Sequence, residues 1–318
     1  MKYPVTSPIS RRSLGGLAAG LGVALALTAC GGDPLASPTT SGGASATPGA
    51  PLVVGSADFP ESQIIAEIYA GALNAAGITA STKPNIGSRE IYVKAVQDGS
   101  VDLVPDYSGN LLSYVDTEAA EVSAEDVYKA LPAKLPEGLA VLEPADAESK
   151  DALVVTKATA EKYQAKSIED LAEHCPELTM AAPATFETRA YGLPGLKKNY
   201  GCELKELKPF SDGGGPLTLQ ALLTDEVQVA DIYTTTPSIE DNDLVVLEDP
   251  KNNFKAQQVL PLYSSAKLTD EAKEALNAVS RILTTQDLVN LNRAVSGSQK
   301  QEAKDAAAAW LKEKGIVK

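Results

Sequence analysis

The chain has 318 residues with 28 Lys plus Arg against 42 Asp plus Glu, a net charge of −14 that disfavours nucleic acid and anionic lipid surfaces as partners. A hydrophobic fraction of 44% with 22% charged residues describes a globular protein, and the length suits about two domains. One histidine, three cysteines and two methionines leave too little for a transition-metal centre, so neither a metal nor a cofactor is expected.

The N-terminus carries Lys2, Arg11 and Arg12 and no acid, followed by an apolar stretch from Leu14 to Ala29. At 16 residues with four glycines, that stretch is short of the roughly 20 that span a bilayer and reads as a signal peptide over residues 1–29. It closes on Leu27, Thr28, Ala29 and Cys30, which resembles the bacterial lipoprotein signal and implies lipid attachment at Cys30. Ser10, Arg11, Arg12 and Leu14 also partly match a twin-arginine signal, so the export route stays open. Removal of residues 1–29 takes away three basic side chains and no acidic one, so 25 stand against 42 and the mature charge is −17. Residues 30–50 are mostly Gly, Ser, Thr, Ala and Pro, a flexible tether.

The folded part opens with a strand at Leu52, Val53 and Val54. Ile64, Ile65, Ile68, Tyr69 and Leu73 then fall at helical spacing up to a stop at Gly77. A strand near 78–82, a helix opened by Ser88 and a strand from Val101 to Val104 repeat the alternation, which predicts an α/β protein with largely parallel sheets. Residues 93–110 align without gaps on 219–236 at a constant offset of 126, and the match ends with Tyr107 answering Tyr233. Each tyrosine sits at the carboxyl end of a strand, where open α/β sheets bind ligands, so two facing domains would place them on opposite walls of a cleft. Such a cleft suits hinge closure on a small ligand.

No nucleophile elbow, paired metal-binding histidine motif or phosphate-binding lysine loop occurs, and His174 has no second histidine, so an enzyme is not expected. The triple glycine Gly213–Gly215 reads either as an anion-binding turn or as a plain flexible one. With Cys30 lipidated, Cys175 and Cys202 remain as a pair in an exported chain and are expected to be bridged.

Gly55, Ser56, Phe59 and Glu61, the run from Val101 to Asn110, Arg189 with Gly192–Leu196, Tyr200 and Gly201, and Leu244 to Asp249 together carry a resemblance. On these residues, and on the tail from Trp310 to Gly315, the chain resembles substrate-binding proteins of bacterial ABC importers for glycine betaine, choline and related quaternary amines. The resemblance implies a two-lobed type II periplasmic-binding-protein fold with two crossings, placed near residues 152–155 and 259–262. Lobe one is then 51–152 with 259–318, and lobe two 153–258. It also implies an ABC permease and ATPase as partners, a membrane contact made only through the lipid anchor, a monomer, and an extracytoplasmic location.

In similar proteins a tyrosine cage holds the trimethylammonium head, because negative ring faces attract a cation that cannot donate hydrogen bonds. Tyr107 and Tyr233 match two cage positions, while Asp151 and Gln257 stand where the family often has tyrosine. Arg189 matches the carboxylate-binding arginine, Asn110 the threonine position, and Ala57 replaces a lysine. Tyr191 is expected to pack within its own lobe or to restore an aromatic wall. The expected ligand is a small zwitterion or cation of the osmoprotectant class. The alternatives are a different polar zwitterion in the same fold, or a ligand sensor.

Overall fold

A computed structural model describes residues 51–296 and 300–317. The signal segment, the tether and Cys30 lie outside the described residues.

Lobe one begins with β1 (Leu52–Gly55), α1 (Pro60–Ala75), β2 (Ala80–Lys83), α2 (Arg89–Gln97) and β3 (Leu103–Tyr107). It continues with α3 (Ser108–Val115), α4 (Ala124–Lys134) and β4 (Leu139–Val141). Lobe two contains β5 (Leu153–Val155), α5 (Lys157–Tyr163), α6 (Ile168–Leu171), β6 (Thr179–Ala182), α7 (Leu193–Tyr200) and β7 (Glu206–Pro209). Then come α8 (Pro216–Leu223), β8 (Val229–Asp231), α9 (Ser238–Asp241) and β9 (Val245–Val246). The chain returns to lobe one as β10 (Val259–Ser264), α10 (Asp270–Ser280), α11 (Thr285–Ser296) and α12 (Ala303–Glu313).

The helix boundaries follow local chemistry. Ser88 precedes α2 in an extended conformation, and α1 starts with Pro60, whose fixed φ suits a first helical position. Ser123, Thr156, Ser167 and Thr269 each accept a backbone N–H as N-caps. Gly77 at φ +82° ends the turn after α1, and Gly201 at φ +69° ends α7.

The two five-stranded sheets have the same plan, β2-β1-β3-β10-β4 and β7-β6-β8-β5-β9. The offset of 126 extends well beyond the stretch where it is legible in the sequence: β2 and β7 begin 126 residues apart, β3 and β8 likewise, and β1 and β6 127 apart. The sheets are largely parallel as expected, with four of five strands running the same way in each and one strand reversed. β1 pairs in parallel with β2 and β3, but β10 is antiparallel to both β3 and β4, and β5 is antiparallel to both β8 and β9. The reason is the route of the chain. β10 and β5 each enter their sheet from the other lobe, so they start where the parallel strands end and run the opposite way.

The apolar runs at 152–155 and 259–262 are therefore strands inside sheets, and the crossings lie just before them. There the two connections run side by side, with Val259 N donating to Ala147 O at 3.0 Å, Ala145 N to Val259 O at 2.8 Å and Ser149 N to Gln257 O at 3.2 Å. Each sheet is buried on both faces. In lobe one, α1 and α10–α12 cover one side with Ile64, Ile68, Leu276 and Trp310, and α2–α4 cover the other with Val93, Leu111 and Val127. In lobe two, the disulfide between Cys175 and Cys202, with a Cα–Cα distance of 5.3 Å, ties the segment before β6 to the end of α7 inside that lobe's core.

Candidate functional site

A cavity of about 120 Å³ opens between the lobes at the carboxyl ends of β3 and β8. Lobe one contributes Ala57, Phe59, Arg89, Tyr92, Tyr107 and Asn110 to its wall, and lobe two contributes Thr185, Arg189, Ser211, Gly213 and Tyr233. Ser149 and Asp151 come from the first crossing.

Tyr107 and Tyr233 both reach this cavity. Phe59, at the N-cap of α1, stands between them, with ring centroids 6.1 Å from Tyr107 and 5.4 Å from Tyr233. Three rings thus surround one volume, and sequence reasoning had not assigned Phe59 to the wall. The glycine loop allows this closeness. Gly213 has φ +59°, and a Cβ there would lie 3.1 Å from both Phe59 Cβ and Tyr233 Cε2. The anion-binding reading of Gly213–Gly215 is corrected, because Asp212 occupies the N-terminus of α8, accepting from Leu217 N at 2.7 Å, Thr218 N at 3.2 Å and Thr218 Oγ1 at 2.6 Å.

Tyr107 is held by its hydroxyl, which donates to Glu61 Oε1 at 2.6 Å. Burial, followed by the Glu61 charge, pushes its phenol well above the ordinary range. The other Glu61 oxygen accepts from Thr235 Oγ1 at 2.5 Å and Asn292 Nδ2 at 2.6 Å. Because Thr235 belongs to lobe two while Glu61 and Asn292 belong to lobe one, this buried carboxylate joins the lobes behind the three rings.

Arg189 lines the cavity and spans the cleft. Its Nε and Nη2 each donate to Glu90 at 3.3 Å, and Nη1 donates to Tyr191 Oη at 2.9 Å. Burial opposes ionisation of Glu90, but hydrogen bonds from Ser88 and Arg189 outweigh it and hold the carboxyl at about 2. Tyr191 packs within lobe two against Phe186 and Phe254, with centroids at 6.2 and 6.4 Å, and steadies Arg189. A second cationic side chain on the wall, Arg89, was not singled out in the sequence. It is 6% exposed and pairs with Asp106 at 2.7 Å. Asp106 also accepts from Tyr92 Oη at 2.9 Å and from Tyr107 N at 2.7 Å, so the pair fixes the end of β3.

Asn110 and Asp151 meet at the cavity floor, where Asn110 Nδ2 donates to Asp151 Oδ2 at 2.6 Å. Gln257 does not reach the wall. It is fully buried behind Asn110, donating from Nε2 to Asn110 Oδ1 at 2.5 Å and accepting Asn110 N on Oε1 at 3.0 Å. Its place in the second crossing explains this, since the backbone there pairs with the first crossing and turns the amide toward α3.

The family profile described as the substrate-binding domain of ABC-type glycine betaine transport systems matches residues 50–313. The glycine betaine-binding protein YehZ of Escherichia coli K12 is 29% identical over 287 residues, covering 84% of this chain and 92% of that one. EgtU of Helicobacter pylori G27, an ergothioneine transport permease and binding protein, is 25% identical over 260 residues, 73% of this chain and 45% of that one. A crystal structure of a glycine betaine/carnitine/choline ABC transporter superposes with a TM-score of 0.66 at 25% identity, covering 83% of this chain and 99% of the other. Such systems pair a substrate-binding component working outside the cytoplasm with a permease and an ATPase, and its ligand is a small molecule. The chain belongs to the family of substrate-binding domains of ABC-type glycine betaine transport systems.

Proposed function

We propose that the interlobe cavity captures a small cation or zwitterion of the quaternary-ammonium class, glycine betaine or choline among them, and that the protein presents it to an ABC permease as a monomeric receptor anchored through a lipid on Cys30. The observation that carries this reading is the trio of Phe59, Tyr107 and Tyr233 around one cavity. Ring faces attract a cation without asking it for hydrogen bonds, at roughly 0.5–2 kcal/mol per contact. Arg89 from lobe one and Arg189 from lobe two supply positive charge to the same cavity, where a ligand carboxylate would be held. The lobes of this receptor are residues 51–152 with 259–318, and 153–258.

The ligands named for YehZ and for the glycine betaine/carnitine/choline transporter support the class. The wall here is more polar than a cage of rings alone, with Asp151, Asn110 and two arginines lining it. That favours a ligand with hydrogen-bonding groups beside its cationic head.

Titration calorimetry with glycine betaine, choline, carnitine, ectoine and ergothioneine tests the reading. At least one of them binds, and Tyr107→Ala and Tyr233→Ala each weaken that binding by about tenfold or more. Unchanged affinity in both variants removes the cage, and silence with every ligand removes the ligand class.

A further inference from the structure

Asp151 and Asp231 stand on one face of the lobe-two sheet. In the antiparallel ladder of β5 and β8, Leu153 is opposite Asp231, and Ile232 N donates to Ala152 O at 3.1 Å. Continuing the register puts Asp151 directly across from Tyr233, with Asp231 as its diagonal neighbour on the same side. Asp151 is 4% exposed and Asp231 2% exposed. The one donor given to Asp151 by the described side chains is Asn110, on Oδ2, and Asp231 Oδ1 is buried with no hydrogen-bond partner. An acceptor pair thus lies beneath a cavity-lining aromatic ring, with few protein donors to satisfy it.

Around the pair are Arg189, Tyr191 and Tyr233 from lobe two and Asn110 from lobe one. Arg189 is the one cation among them, and it is already engaged by Glu90. Burial and then the neighbouring Asp151 charge push the Asp231 carboxyl well above the usual carboxylate range, with Arg189 and the Ala152 N–H only partly opposing. Two buried carboxyl groups this close disfavour each other's ionised form, the more so where the one neighbouring cation is shared with Glu90.

We infer that Asp151 and Asp231 form a carboxyl pair that holds one proton in the ligand-free protein and releases it to solvent when a cationic ligand enters. Asp151 then accepts a hydrogen bond from the ligand nitrogen, so the site prefers ammonium ligands that keep an N–H over fully methylated ones. This rests on the reading that the cavity takes an ammonium ligand, and it moves the preference from quaternary to tertiary ammonium groups. A trimethylammonium group satisfies the rings but leaves the buried carboxylate without a donor, whereas a dimethylammonium group satisfies both. Asp151 would touch the ligand, and Asp231 would act as a positioning residue that stores the proton.

The test is calorimetric titration of the full mature protein with two matched pairs, glycine betaine against N,N-dimethylglycine and choline against N,N-dimethylaminoethanol. Each titration is run at pH 6 and 7 in two buffers of different ionisation enthalpy. The N–H member of each pair is expected to bind about tenfold or more tighter, with release of a proton that the two buffers report and with affinity rising with pH. Asp151→Asn abolishes both the preference and the release. Asp231→Asn abolishes the release and keeps the preference, an outcome that a purely structural role would not give. Melting curves check that both variants fold, and if either does not, the methyl series and buffer pair on the native protein decide. Trimethyl ligands that bind as tightly as their dimethyl partners, or binding without proton release, overturn the carboxyl pair and leave the cage standing. Failure of all four ligands to bind overturns the carboxyl pair, and silence of carnitine, ectoine and ergothioneine as well overturns the proposed ligand class.

Discussion

Glu61→Gln is the substitution that most sharply separates a joint between the lobes from an incidental buried acid. The carboxylate is 4% exposed and accepts three hydrogen bonds, from Tyr107 Oη, Thr235 Oγ1 and Asn292 Nδ2. An amide of the same shape keeps one acceptor oxygen and replaces the other with a donor. If that oxygen stays on Tyr107, the new NH₂ faces Thr235 and Asn292. The threonine hydroxyl can turn, since Ser149 Oγ lies 2.8 Å away, but the Asn292 amide is also held by Thr235 O at 3.2 Å. The bond from Asn292 is lost, the remaining ones are no longer charge-assisted, and one buried donor is left facing another donor, which together cost about 3 kcal/mol. For a folded body of this size that lowers Tm by about 6–12 °C in scanning calorimetry of the mature protein. Because the joined groups come from both lobes, the variant should also close less readily and bind its ligand more weakly. A Tm within about 2 °C of the native value, with ligand affinity unchanged, would refute the reasoning.

Two further outcomes follow from the same geometry. Replacing Cys175 and Cys202 by serine opens a loop with a sequence separation of 27 and costs about 3.5 kcal/mol in the chain-entropy picture, seen as a lower urea midpoint that reduction of the native protein reproduces. The Glu90–Arg189 pair stabilises the contact between lobes above about pH 4.5, because Glu90 is held at about 2 in the folded state, and this contribution fades as pH falls from 4.5 toward 2. Urea unfolding across that range should show a shallower acid loss for Glu90→Gln than for the native protein, and parallel curves would count against the pair.

The elements legible in the sequence were those written in local chemistry. Ser88 before α2, the apolar Leu52–Val54 run, the helical spacing from Ile64 to Leu73 and the tyrosines at strand ends needed no knowledge of distant partners. What escaped depended on contacts far apart in the chain. The antiparallel direction of β5 and β10 follows from the crossings, which leave no periodic mark. Gln257 stands where the family often has tyrosine and so reads as a cage residue, but pairing of the two crossings turns it toward Asn110. Phe59 carries part of the family resemblance without a role of its own, and only the approach of Gly213 and Tyr233 from the other lobe shows it as a wall of the cavity. Arg89 looked like an ordinary first-turn residue, and its pairing with Asp106 across 17 residues is a tertiary event.

The repeat places matching tyrosines at matching strand ends, but the acids beside them differ by one position, and that decides the polarity of the cavity. Asp106 immediately precedes Tyr107, so strand alternation sends its carboxylate to the opposite face, where Arg89 and Tyr92 satisfy it. Asp231 lies two residues before Tyr233 and therefore shares its face, together with Asp151 from the neighbouring strand. Lobe one presents a ring whose neighbouring acid is already neutralised by a buried arginine, while lobe two presents a ring backed by two acids and one arginine that is shared with Glu90. A cation entering the cleft is therefore drawn toward the Tyr233 side.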